Sequence, residues 1–288
     1  MKHLSNSGYT VLEVMVVMAV SAGLFFTAIT AFGGRQQEVQ FTQAVRDFDS
    51  RLSDISNDIA SGFFNNSDNL ECNVVSAPPP AMKKLNIFSG SDLQGASDKC
   101  VFIGKVLQFQ PQGLSENKSK FKLITVLGSR YITASGTSPV NNLSEAAPKA
   151  IEQNVETIDL DWGLRVTKIL YQNASVPSGQ NIGSFGYFTS FTQSFTDGIS
   201  EATLSDNQRV QHIPVLGSSF NSPTDDTGIL GDIETVTSPA SPTEIIICLQ
   251  KADQSKRAMI TVGKDGSYGT SVDFTESANY DSRCNTDA

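Results

Sequence analysis

Gly8-Tyr9-Thr10-Val11-Leu12-Glu13-Val14 opens an apolar run that continues to Phe32, and Glu13 is the one side chain in Tyr9–Phe32 expected to carry a charge. At about 1.5 Å of rise per residue the run is roughly 36 Å long, against a bilayer core of about 30 Å. A transmembrane helix over 9–32 is the expected reading. A secretory signal has an apolar region of only about 7–15 residues, closed by a small-residue cleavage site. This run is too long for that. The preceding residues 1–8 are polar and include Lys2. A positive charge on the short flank keeps the N-terminus in the cytoplasm and sends the remainder across.

The helical pattern continues past the apolar run. Phe41, Val45, Phe48, Leu52, Ile55 and Ile59 are spaced 4, 3, 4, 3 and 4 apart, a narrow apolar stripe among Gln, Arg, Asp and Ser. The stripe predicts an amphipathic continuation over 33–61 that docks a separate exported part, with Gly62 as its stop. A coiled coil would need more heptads than this segment holds. The helix as a whole, from about Thr10 to Ala60, would measure roughly 75 Å. Gly33 and Gly34 follow the apolar run directly. Each lowers helix stability by about 1 kcal/mol relative to Ala, so the pair is expected to act as a point of flexibility.

The formal charge is −9, from 21 Lys+Arg against 30 Asp+Glu. That balance makes nucleic acid an unlikely partner, since phosphate backbones call for a basic surface. Catalytic signatures are missing: there is no GxSxG elbow, HExxH pair, Walker loop or dinucleotide fingerprint. His3 and His212 are the only histidines, and a loop residue such as His212 is expected to be a surface or packing group. Asp225, Asp226, Gly228 and Asp232 give a polar stretch the oxygens of a calcium loop without the EF-hand spacing, so no metal and no cofactor is expected. An enzyme is therefore not the expected reading.

Four cysteines, Cys72, Cys100, Cys248 and Cys284, all lie beyond the apolar run and match no CxxC motif. In an exported domain they imply a disulfide framework. Three pairings are open; Cys72–Cys100 and Cys248–Cys284 are favoured because each closes a local loop.

The N-terminal residues resemble the signal of type IV prepilins and type II secretion pseudopilins. In that pattern a Gly precedes the cut, an apolar or aromatic residue begins the mature chain, and a Glu stands fifth after the cut. Gly8, Tyr9 and Glu13 hold those places, with Tyr where Phe is commoner. The likeness covers roughly 1–60. It implies a leader over 1–8, cleavage between Gly8 and Tyr9 by a membrane prepilin peptidase, and N-methylation of Tyr9. The implied partners are other pilins or pseudopilins, the peptidase and an inner-membrane assembly platform. The implied course is from the cytoplasmic membrane, with the head exported, to a pilus or the cell surface. The chemistry of Glu13 agrees: a carboxylate in lipid costs a few kcal/mol unless it is paired. The Tyr9 amine of a neighbouring subunit would supply a cation at nearly the same depth.

The remainder, 62–288, is expected to be a β-rich head, giving an α+β fold in which the long helix packs on an antiparallel sheet. Strands are predicted at 100–103, 106–109, 121–127, 157–162, 165–171, 186–195, 244–250, 257–262 and 268–274, with a turn at 263–266. Pro78-Pro79-Pro80 predicts a stiff loop, and the polar stretch 207–242 reads as a long loop or an inserted excursion. The leading reading is a structural subunit, a minor pilin or pseudopilin. The alternative is a pilus-presented adhesin or DNA-uptake module, for which the aromatics of 187–195 would have to be exposed.

Overall fold

The computed structural model describes residues 9–62, 70–75, 84–89, 100–110, 117–132, 139–191, 210–217, 219–220, 222, 225–238, 243–263, 269–275 and 282–284. The loop expected at Pro78–Pro80, most of the turn expected at 263–266 and the leader expected over 1–8 lie outside them. The chain forms two units, 1–43 and 44–288.

In the first unit the chain enters helix α1, Val11–Ser61, which is assigned without a break through Gly33 and Gly34. Over Val11–Ala28 the mean hydropathy is 2.1 and none of the stretch is buried, so this helix is long and apolar enough to cross a membrane. Phe41 is buried.

The second unit begins within α1. Val45, Phe48, Leu52, Ile55 and Ile59 are all buried, which is what their helical spacing predicts. Gly62, at φ +69°, takes the left-handed conformation that ends many helices, and its N–H donates to the Ile59 carbonyl at 3.1 Å.

Twelve strands are described in this unit. β1 (Leu70–Val75) and β2 (Lys84–Ser89) form a hairpin. One five-stranded sheet has the order β5-β4-β3-β8-β9, built from β3 (Cys100–Phe109), β4 (Lys120–Ser129), β5 (Lys149–Asp159), β8 (Ser184–Thr189) and β9 (Val210–Pro214). The other has the order β12-β11-β10-β6-β7, from β6 (Leu164–Asn173), β7 (Val176–Asn181), β10 (Glu244–Lys251), β11 (Arg257–Val262) and β12 (Thr270–Thr275). Every pairing in these sheets is antiparallel. The α+β class holds, but the head carries two large sheets where one was expected.

Several elements differ from the sequence reading. The segments 100–103 and 106–109 are one strand, because Gly104 marks a register shift in the β3–β4 ladder and not an end. The polar 207–242 loop contains β9 and a helix, α3 (Asp226–Glu234), whose N-cap Asp225 accepts from the Gly228 N–H at 2.7 Å. Trp162 does not belong to a strand. β5 ends at Asp159 and a turn, Asp161–Gly163, follows.

The half-buried strand expected at 186–195 is β8, and it is buried on both faces. Phe185 and Tyr187 point to the α1 side, while Phe188 joins a cluster with Leu143 of α2 (Leu143–Ala146) and with Ile229 and Ile233 of α3. With helices on both sides of its sheet, a strand has no solvent face to mark by alternation.

Candidate functional site

The side chains singled out by the sequence fall into three places. The first is the start of α1. Tyr9 is 84 % exposed, and Glu13 is exposed in the first turn. Thr10 precedes the helix, and its Oγ1 accepts from the Glu13 N–H at 3.3 Å. Thr10-Val11-Leu12-Glu13 thus has the capping-box pattern, and a carboxylate in the first turn also suits the helix dipole. This capping role was readable in the Thr-x-x-Glu spacing and went unread. No cation of the described residues forms an ion pair with Glu13. Gly8 lies outside the described residues.

Beyond Glu13 the apolar side chains stand in the open all round the helix. Leu12, Met15, Met18, Phe25 and Phe26 are each roughly 70 % exposed. The polar Thr27 turns its hydroxyl to the Leu24 carbonyl at 2.9 Å. That contact satisfies the donor within the helix, as an apolar surrounding demands.

The second place is the seat of α1 in the head. Phe48 lies 5.7 Å from Phe121 and 6.4 Å from Phe109 between ring centroids. The rings continue across the sheet from Phe109 to Phe185 (6.0 Å), Tyr187 (a further 5.6 Å) and His212 (4.9 Å). Each pairwise contact of this kind contributes about 0.5–1.5 kcal/mol beyond its buried area. Burial, and next the charge of Asp49, push the Tyr187 phenol far above its ordinary range. Burial lowers His212 to about 4 and keeps its imidazole neutral at pH 7. His212 is thus a packing residue on β9 and does not lie in a loop. Tyr187 and Phe188 are wholly buried, which removes them from any adhesive surface; Phe195 lies outside the described residues. The other five-stranded sheet also reaches the helix, where Ser53 Oγ is 3.5 Å from Thr270 Oγ1.

The third place is the disulfide framework. Cys248 and Cys284 are bonded as expected, with Cα atoms 5.6 Å apart. They sit in a small apolar cluster with Leu170, Ile246 and Met259 on one face of the second sheet. Lys168 Nζ donates to the Arg283 carbonyl at 2.8 Å and an Arg283 guanidinium N–H donates to Gln172 Oε1 at 2.7 Å, so the bonded segment is held down polarly as well. Beside it lies a cleft of about 540 Å³ lined in part by Lys168, Asn181 and Arg283. Cys72 is buried and disulfide-bonded, while the Cys100 side chain lies outside the described ones.

The acids once grouped as a loop belong instead to α3. Asp225 caps it, Asp232 lies within it, and burial raises the Asp232 carboxyl. Among the described residues no three His, Cys, Asp or Glu side chains stand close enough together to hold a metal. No protein family, no curated protein and no solved structure matches this chain.

Proposed function

We propose that this chain is a structural subunit, a minor pilin or pseudopilin, of a type IV pilus-like filament, cut after Gly8 and assembled through its N-terminal helix. The observation that carries this is an apolar helix exposed on every side, with one acid, Glu13, in its first turn. Such a surface calls for lipid or for other apolar helices around it. An acid there calls for a cation, and cleavage after Gly8 would create one at the Tyr9 amine of a neighbour. The signal-like order Gly8, Tyr9, Glu13 supports the same reading. The platform, the peptidase and sister subunits are its partners, first in the cytoplasmic membrane and then at the cell surface.

The test is mass spectrometry of the N-terminal peptide in filaments sheared from the native cells. A chain beginning at N-methylated Tyr9 in that fraction is the expected result. An intact leader in cells with an active prepilin peptidase would overturn the proposal. Glu13→Val should leave membrane insertion intact and abolish incorporation into filaments. Gly33→Ala with Gly34→Ala should impair assembly in the same way if flexibility of the helix is needed.

A further inference from the structure

The turn Asp161–Gly163 carries the chain from β5 in one sheet to β6 in the other. Trp162 (φ 56°, ψ 29°) and Gly163 (φ 71°) both have left-handed backbones, and the Leu164 N–H donates to the Asp161 carbonyl. These are the marks of a type I′ turn, whose first central position favours Asn, Asp or Gly. A bulky residue at positive φ is strained there. Here that residue is the only Trp in the chain.

The fold leaves more than half of this side chain uncovered. Trp162 is 57 % exposed, and its indole N–H has no hydrogen-bond partner among the described residues. The turn itself is braced by its backbone and neighbours. The Gly163 carbonyl accepts from the Ala252 N–H at 2.9 Å, and Asp161 pairs with Arg51 of α1 at 3.4 Å. Lys120–Asp159 and Lys251–Asp253, each at 2.9 Å, add further charges of both signs on the strands and loop flanking it. A strained, largely exposed ring breaks a local rule where function is the usual reason. A lone Trp ringed by polar and charged groups is also the composition of an interface hot spot.

The shape decides the class of partner. Trp162 stands on the corner between the two sheets and does not line the cleft beside the disulfide. An exposed ring on a corner suits a partner's socket; it does not form a pocket for a small ligand. We infer that Trp162 is a knob that inserts into an apolar socket, with a carbonyl acceptor for its N–H, on the head of the neighbouring subunit in the filament. This rests on the filament reading above.

The substitution Trp162→Asn removes the ring and supplies a residue the turn prefers. It is expected to leave processing at Gly8 intact and the thermal midpoint unchanged or raised, while lowering the chain's abundance in sheared filaments about tenfold, as for loss of a hot-spot aromatic. A photo-crosslinking benzoylphenylalanine at position 162, irradiated in intact filaments, should yield an adduct with the head of a filament subunit. Incorporation of the Asn variant at the wild-type level would overturn the inference while leaving the filament reading in place. Adducts with polysaccharide alone, or with no filament subunit, would overturn it equally. Absence of the wild-type chain from filaments is a different result and counts against the filament reading itself.

Discussion

Lys105 Nζ of β3 lies 2.9 Å from Asp58 Oδ2 in the last turns of α1, with the ammonium largely buried and the carboxylate partly open. This ion pair marks the end of the helix's seat, past the buried Ile55 and just before Ile59. Half-exposed pairs contribute modestly, so a double-mutant cycle of Asp58→Asn and Lys105→Met should give a coupling of about 1 kcal/mol, falling as salt is raised. Urea denaturation of the full chain in detergent would measure it. A coupling near zero at low salt would mean that the apolar stripe alone seats the helix.

Gly104 has no room for a side chain. A Cβ there would come 2.7 Å from Phe188 Cδ1 and still closer to the Tyr187 carbonyl oxygen. Because the second obstacle is backbone, Gly104→Ala should destabilise the head by about 2 kcal/mol or more. Gly128→Ala meets chiefly the flexible end of Ile103, at 2.8 Å, and should cost less. Thermal midpoints of the two variants side by side would test the ranking, and equal losses would contradict it.

Acid should loosen the head through His212. Its folded value of about 4 lies below the ordinary 6.5. The unfolded chain therefore binds more protons between these values. The contribution is fully present above pH 6.5 and is lost as the pH falls towards 4. At most it amounts to about 3 kcal/mol. Stability measured by urea at pH 7, 6 and 5 should decline, and His212→Phe should flatten that decline. On the proposed cleavage after Gly8, His3 would be removed and the mature chain would hold no other histidine.

Reduction should weaken the second sheet. The Cys248–Cys284 bond closes a loop of sequence separation 36. On the chain-entropy account its loss costs about 4 kcal/mol, modified by whatever structure the reduced chain keeps. Cys248→Ala with Cys284→Ala should lower the thermal midpoint by several degrees. An unchanged midpoint would show that the polar contacts of Lys168 and Arg283 hold the segment unaided.

How legible the fold was depends on how local each signal is. The stripe from Val45 to Ile59 was readable because a helix repeats its core face every three or four residues, and those positions are buried. β11 is found where its run of apolar residues was read, bounded by polar turns. β7, Val-Pro-Ser-Gly-Gln-Asn, offers no such alternation and owes its existence to pairing with β6. α3 holds Gly228 and Gly231 within nine residues, which hid a helix that capping by Asp225 and burial of Ile229 and Ile233 sustain. Gly104 read as a break for the same reason: one residue cannot report whether a strand ends or merely bulges.

By itself the sequence determined the apolar helix, the amphipathic stripe that follows it, the lone acid at Glu13 and the β-rich character of the rest. All of these depend on composition and on spacings of a few residues. Only the tertiary structure decided that β10 pairs with β6 across some seventy residues, that β3 to β12 divide into two five-stranded sheets, and that Tyr187 and His212 are core groups. It also decided that Trp162 is strained and exposed at their corner. The reason is physical: hydropathy and helical period are properties of neighbouring residues. Sheet partnership and burial are settled by which distant surfaces exclude water together.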